Sequence, residues 1–175
     1  MAVSIVLAAC GDDMVPSAEC SAGESRVVAS AELWRAVEIE QDPFYDRYEG
    51  DPVVCGAEST GFEVGLDGSW WGIETVRCGY LTLEQEALEP ACPGDELVVR
   101  LWHFNLLDAG ADFQVALAIE DDEPLARETI RVPTSAELVE FRVEVTEAIE
   151  AGVMLRFNLS NHGTNSWGLM DIVAE

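Results

Sequence analysis

The chain has 175 residues, of which 34 are Asp or Glu and nine are Lys or Arg, so its formal net charge is −25 at pH 7. All of the cations are arginines. A chain this acidic repels nucleic acid and anionic lipid surfaces, which excludes both as electrostatic partners. Its 49% of hydrophobic residues and its five tryptophans exclude a disordered chain and predict one folded domain with a sizeable core.

An apolar stretch, residues 2–9, opens the chain, is broken only by Ser4 and ends in small residues. It is far shorter than the roughly 20 residues that span a bilayer, and it is typical of a secretory signal segment. Leu7-Ala8-Ala9-Cys10 resembles the lipobox of bacterial lipoproteins. That resemblance implies cleavage before Cys10 and a diacylglycerol anchor on this cysteine, and Gly11 after it implies the outer membrane rather than the inner one.

The resemblance predicts three parts of the chain. Residues 1–9 are the signal segment, residues 10–25 a lipidated tether rich in Gly, Ser, Ala and acids, and residues 26–175 a single domain. No basic residue precedes the apolar run, so we expect either a start upstream or a truncated segment. The alternative is a first strand whose Cys10 is bound in a disulfide.

Four further cysteines form an even set in an exported chain, which predicts two disulfides in an oxidising compartment. The absence of a C-x-x-C pair disfavours a zinc ribbon. Sequence leaves three pairings open. We favour Cys55–Cys78, because each of these cysteines flanks a strand-like segment, and Cys20 would then pair with Cys92.

In chain order, the first half predicts strands at 26–34, 62–66 and 70–77, followed by a short helix at 83–89. The second half is more regular, with four segments in which apolar residues recur at every second position, at 95–107, 112–120, 137–147 and 152–161. A second short helix is predicted at 146–152. About eight short strands separated by turn residues predict an all-β, antiparallel β-sandwich of the jelly-roll type.

The order of motifs over residues 94–175 resembles that of galactose-binding-like jelly rolls, which include many carbohydrate-binding modules of secreted glycosidases. The motifs are I-x-V-P at 130–133, V-x-F-x-V at 139–143, G-V-x-L-x-F at 152–157, N-x-W at 165–167 and D-I-V at 171–173. The resemblance implies the fold more strongly than the function. It also implies a structural calcium ion at Asp171, since such jelly rolls often carry a calcium ligand in the last strand.

Candidate ligand residues are aromatic and polar side chains on the predicted strands. Arg100 and Trp102 share one strand face, where an indole ring stacks on the C–H face of a sugar while Arg100 and Gln114 bond to its hydroxyls. Alternatively, Trp102 lies beneath a covering loop as a second small core. Trp70 and Trp71 are also candidates: a strand directs them to opposite faces, whereas a loop opened by L-D-G-S at 66–69 would place both on one rim. His103, Asn161, His162 and Trp167 complete the candidate set.

The two histidines and the turn around them have structural alternatives. His103 follows the buried face of its strand, which favours a hydrogen-bonded role in the core. Asn161 and His162 belong to a segment whose Gly and Asn residues are typical of a tight turn.

The catalytic sequence motifs that the chain lacks constrain its function most. The sequence contains no G-x-S-x-G, no H-E-x-x-H and no glycine-rich phosphate loop, so we expect no enzyme, and no cofactor apart from the calcium ion. We favour a lipid-anchored envelope protein whose jelly roll binds a carbohydrate or another small polar ligand. The alternatives are a structural or protein-interaction module of the envelope, and a small metal-assisted hydrolase in which His103 and His162 meet beside an acid.

Overall fold

The computed structural model describes residues 24–45, 48, 52–66, 68–106, 112–120, 123–160 and 163–175. Its strands are β1 (Arg26–Ser30), β2 (Arg35–Ala36), β3 (Thr60–Gly65), β4 (Gly68–Glu74), β5 (Tyr80–Glu86), β6 (Glu96–His103), β7 (Asp112–Ile119), β8 (Ala126–Arg131), β9 (Glu137–Glu144), β10 (Met154–Ser160) and β11 (Ser166–Ala174). Two short 3₁₀ helices, Ala31–Leu33 and Ile39–Gln41, lie on either side of β2. Within the described ranges, no helix has the length and apolar character needed to cross a membrane.

The strands form two antiparallel sheets. Sheet A has the order β3-β4-β11-β6-β9, with β1 also paired to β11, and sheet B has the order β2-β5-β10-β7-β8. The eight strands from β4 to β11 therefore fill the sheets as β4-β11-β6-β9 and β5-β10-β7-β8, which is the strand order of a jelly roll. The antiparallel β-sandwich predicted from the sequence is confirmed.

The core lies between the sheets because each long strand alternates apolar and polar residues. Along β6, Leu97, Val99 and Leu101 are at most 1% exposed, whereas Arg100 and Trp102 point to the outer face. The four strands predicted from period-two patterns correspond to β6, β7, β9 and β10. Their inward residues, together with those of β11, make up the largest part of the core: Phe113, Val115, Leu117, Phe141, Val143, Leu155, Phe157, Leu159, Trp167, Leu169 and Ile172.

Both predicted helices are wrong. Most of 83–89 belongs to β5, which lies between β2 and β10 in sheet B and buries Leu81 and Leu83 in the core. Tertiary packing overrides the helix-favouring Leu, Glu and Gln residues at this position. Residues 146–152 are irregular, and Ile149 is fixed there by an antiparallel bridge to Ala91.

One predicted disulfide is present. Cys55 and Cys78 are bonded across a sequence separation of 23 residues, which links the segment before β3 to the segment before β5. Cys92 is also disulfide-bonded. Its predicted partner Cys20 lies outside the described residues, as do Cys10 and the lipobox, so these remain predictions.

The outer face of sheet B is covered around Tyr80. The Tyr80 hydroxyl donates a hydrogen bond to Oδ2 of Asp42 at 2.8 Å, and the amide of Phe44 donates to Oδ1 at 2.9 Å. Tyr45 and Tyr48 pack nearly perpendicular to the Tyr80 ring, with centroid distances of 6.0 and 5.2 Å. Burial raises the pKa of the Tyr80 hydroxyl far above its usual value, and the Asp42 carboxylate raises it further.

We expect the fold to lose stability as the pH rises above about 10, the ordinary tyrosine pKa. Tyr80 keeps its proton in the fold but ionises in the unfolded chain, so its contribution is complete below the unfolded pKa and falls as the pH rises towards the folded one. The loss is about 1.4 kcal/mol per pH unit for one proton. The free energy of unfolding, measured by urea unfolding at several pH values above 10, should fall with pH less steeply in Tyr80→Phe than in the parent chain, by the equivalent of one proton. An equal pH dependence in both chains would contradict the burial of the Tyr80 hydroxyl against Asp42.

Candidate functional site

Three aromatic side chains meet on the outer face of sheet A, and we call Trp70, Trp102 and Phe104 the aromatic face. Trp102 lies in the middle, with ring centroids 5.4 Å from Trp70 and 5.0 Å from Phe104. Both neighbouring rings are steeply inclined to it, at 86° and 73°. Trp70 and Trp102 are half-buried and Phe104 is 58% exposed, so the cluster is open to solvent and lies outside both buried core clusters. Trp102 thus packs with Trp70 and Phe104 outside the two buried clusters, and a covering loop over it stays a prediction.

Glycines in neighbouring strands allow the Trp102 ring to lie against the sheet. Gly168 of β11 has two directly opposed neighbours, Trp102 of β6 and Gly72 of β4. Gly72 is in turn opposite Gly61 of β3. A Cβ built on Gly168 would lie 2.8 Å from Cδ1 of Trp102 and closer still to its Nε1. The indole ring therefore occupies the space that any other residue at 168 would need.

A charged pair borders the aromatic face. Nε of Arg100 donates to Oδ1 of Asp171 at 2.6 Å and Nη2 donates to Oδ2 at 2.8 Å, so the pair is bidentate. A register shift in β11 between Leu169 and Asp171 brings Asp171 opposite Arg100. Glu140 of β9 is opposite Arg100 on the other side. The guanidinium is thus held by a carboxylate partner and does not project freely.

A carboxylate lies beside the aromatic rings as well. Oε2 of Glu63 accepts a hydrogen bond from Nε1 of Trp70 at 3.1 Å, and Cδ of Glu63 lies 2.7 Å from a Cβ built on Gly72. Sequence reasoning missed Glu63, Phe104 and the glycines beneath them. Glycine inside a strand signals close approach of another group, and that signal was available at Gly72 and Gly168.

The structure brings together Trp70, Trp102 and Arg100 of the predicted site. Trp71 points to the opposite side of β4, as the strand geometry predicted, and its indole N–H donates to the hydroxyl of Thr60. It lines a separate cleft of about 660 Å³ between residues 35–40 and 54–57. Trp70 therefore lies on the aromatic face, whereas Trp71 lies on the opposite side of β4, at the cleft.

Three predicted ligand residues do not reach the aromatic face. Gln114 is exposed on β7 of sheet B, so it cannot bond to a ligand held by Arg100 and Trp102 on sheet A. His103 and Trp167 are each 1% exposed and point into the core, which makes a surface ligand role for them wrong. Nδ1 of His103 lies 2.7 Å from the carbonyl oxygen of Phe104, and its ring packs on Trp167 with centroids 5.0 Å apart. His103 thus takes the core role that its strand position favoured.

The remaining predictions concern Asn161, His162 and the calcium ion. Asn161 and His162 lie outside the described residues, and so does any contact between His162 and His103. Both carboxylate oxygens of Asp171 accept hydrogen bonds from Arg100. The described part of the chain contains no group of three or more His, Cys, Asp or Glu residues placed to hold a metal ion. A calcium ion at Asp171 stays a prediction.

Comparison with known proteins gives similarities of structure only. No protein-family model matches the chain, and no curated protein matches its sequence. The C-terminal CBM6 of LamC, a marine laminarinase from Zobellia galactanivorans, has a TM-score of 0.48 and 10% identity over 87% of this chain and 100% of that one. A carbohydrate-binding module specific for non-crystalline cellulose, CBM28, has a TM-score of 0.47 and 10% identity over 91% of this chain and 96% of that one.

A third solved structure, TmCBM61 in complex with β-1,4-galactotriose, has a TM-score of 0.44 and 11% identity over 83% of this chain and 90% of that one. All three similarities have TM-scores below 0.5 and very low identity. They carry no conclusion about the ligand of this chain, which has to come from its own surface.

We expect Gly168→Ala to displace the Trp102 ring, because the added Cβ would overlap the indole. The overlap should destabilise the fold by roughly 1–3 kcal/mol and change the tryptophan fluorescence. Gly61→Ala is the matched control, because it lies in the same row of residues and its Cβ would meet nothing within 4 Å. Equal unfolding free energies and equal spectra for the two variants would contradict the position of Trp102.

Proposed function

We propose that this chain is an exported, lipid-anchored envelope protein whose jelly roll binds a carbohydrate on the aromatic face. The observation that carries the proposal is the half-buried Trp102 ring, which lies across Gly168 between Trp70 and the exposed Phe104. Exposed aromatic clusters of this kind mark binding surfaces. An indole ring held in this way offers a rigid apolar surface on which the C–H face of a sugar ring can stack.

The polar groups around the rings supply the second requirement for a sugar, which is hydrogen bonding to hydroxyls. Glu63 and Asp171 are acceptors, and Arg100 is a donor whose side chain is 36% exposed. Glu63 is held by Trp70 and Arg100 by Asp171, so these groups are fixed before a ligand arrives. Such preorganisation lowers the entropic cost of binding.

Export and anchoring rest on the cysteines. The described residues include one disulfide, Cys55–Cys78, and a further disulfide-bonded cysteine, Cys92, and disulfides of this kind persist in oxidising compartments. The lipobox at residues 7–10 adds the anchor to this proposal. We assign the domain a binding role rather than a catalytic one, at the outer membrane.

A second candidate function, binding of a partner protein, is favoured by the edge strand β3. Val64 is 74% exposed and Leu66, in the turn that follows, is fully exposed, with Phe62 beside them at 43%. Exposed apolar residues on an edge strand are a common feature of surfaces that pair with another chain. This surface lies on the opposite side of β3 from Glu63 and the aromatic face.

We expect the full chain to bind at least one member of a broad panel of polysaccharides, and Trp102→Ala to weaken that binding by roughly tenfold to thirtyfold. Isothermal titration calorimetry with soluble glycans and pull-down with insoluble ones measure the loss. Phe62→Ala removes an exposed aromatic ring from the other side of the β3–β4 pair and should bind as the parent does.

Two results would contradict the proposal. Absence of binding to every glycan in the panel would leave the partner-protein surface of β3 as the better candidate. Loss of binding in Trp71→Ala but not in Trp102→Ala would place the site in the cleft between residues 35–40 and 54–57 instead.

A further inference from the structure

The carboxylate of Glu63 and the Trp102 ring cover two directly opposed glycines on the outer face of sheet A. Glu63 covers Gly72, and the Trp102 ring covers Gly168, which is the residue directly opposite Gly72 in the neighbouring strand. Cβ positions of directly opposed residues are roughly 5 Å apart, so the carboxylate and the edge of the indole ring are neighbours on one surface. The Trp70 N–H holds one oxygen of this carboxylate at 3.1 Å.

Carboxylates outnumber guanidinium groups on the outer face of sheet A. The two arginines that project there are both paired, Arg100 with Asp171 and Arg142 with Glu96, Glu140 and Glu175. The acidic residues on the same strand faces are Glu63, Glu74, Glu96, Glu140, Glu144 and Asp171. With a net charge of −25 for the whole chain, this surface attracts cations and repels uronic acids and sulfated sugars.

We propose that the aromatic face selects a protonated amino sugar, that is, a glycan with free amino groups; this inference rests on the proposed function. An ammonium group is the chemistry that matches an indole ring and a fixed carboxylate side by side. The indole attracts it through the cation–π interaction, and the carboxylate through a charge-assisted hydrogen bond. The remaining C–H face of the same sugar stacks on the ring. Glu63 is then the residue that determines specificity, and Trp102 the one that supplies most of the affinity.

The test compares glucosamine oligomers with N-acetylglucosamine oligomers of the same length, because acetylation removes the charge and keeps the ring. In mildly acidic buffer above the ordinary Glu pKa, we expect the full chain to bind the glucosamine oligomer more tightly by roughly fivefold or more, as one ion pair near the surface provides. Glu63→Gln keeps an oxygen for the Trp70 N–H and should remove most of that preference. The variant should lose less affinity for the acetylated oligomer than for the glucosamine oligomer, because an amide oxygen still accepts a hydrogen bond from a sugar hydroxyl.

Glu128→Gln is the matched control, because it removes the same charge from an exposed position on β8 of sheet B. It separates an effect of Glu63 from the attraction of a cationic sugar to an acidic protein in general. Equal binding of both oligomers by the parent chain, or an equal loss of preference in Glu128→Gln and Glu63→Gln, would overturn the selection of amino sugars. Binding confined to neutral glycans would overturn it while supporting the proposed function; binding to no glycan at all would overturn both.

Discussion

Hydrogen bonding along strand β11 holds sheet A together, and the rest of the molecule depends on it. β11 is paired with β1, β4 and β6, so it joins the two halves of the sheet. Its inward residues Trp167 and Leu169 lie at the centre of the core, and its outward residue Gly168 supports the Trp102 ring. The nine-residue strand β11 therefore places a large side chain, Trp167, in the core and a glycine without a side chain, Gly168, at the next position on the outer face.

The strands that line the core were predictable because their signal is local. Apolar residues at every second position in β6, β7, β9 and β10 predict both the strand and its buried face. β5 was not predictable in this way, because it is rich in Leu, Glu and Gln, and only its position between β2 and β10 makes it a strand. Helix propensity depends only on the residues of the segment, whereas strand pairing depends on neighbouring strands that come from distant parts of the chain.

The candidate site was predictable only in part, for a related reason. The alternation in β6 was enough to place Arg100 and Trp102 on one face. The meeting of Trp102 with Trp70 depends on the order of strands β4, β11 and β6, which no local pattern encodes. Gln114 was assigned to the same site because its residue type fits a sugar, but the jelly-roll topology sends β7 to the other sheet.

Trp70 and Trp71 occupy adjacent positions in β4, and the surface that each one serves is set by the pairing of β4 with β3. Glu63 opposite Trp70 and Phe62 opposite Trp71 define that register. A slip of one residue would turn every side chain of β4 to the other face and exchange the two tryptophans. Gly68, which pairs with Gly65 at the end of this ladder, has a φ of 137°, a backbone conformation that favours glycine. A one-residue insertion between Gly65 and Gly68 that shifted β4 in this way would keep the same residues in the strand. It would nevertheless place Trp71 instead of Trp70 beside Trp102.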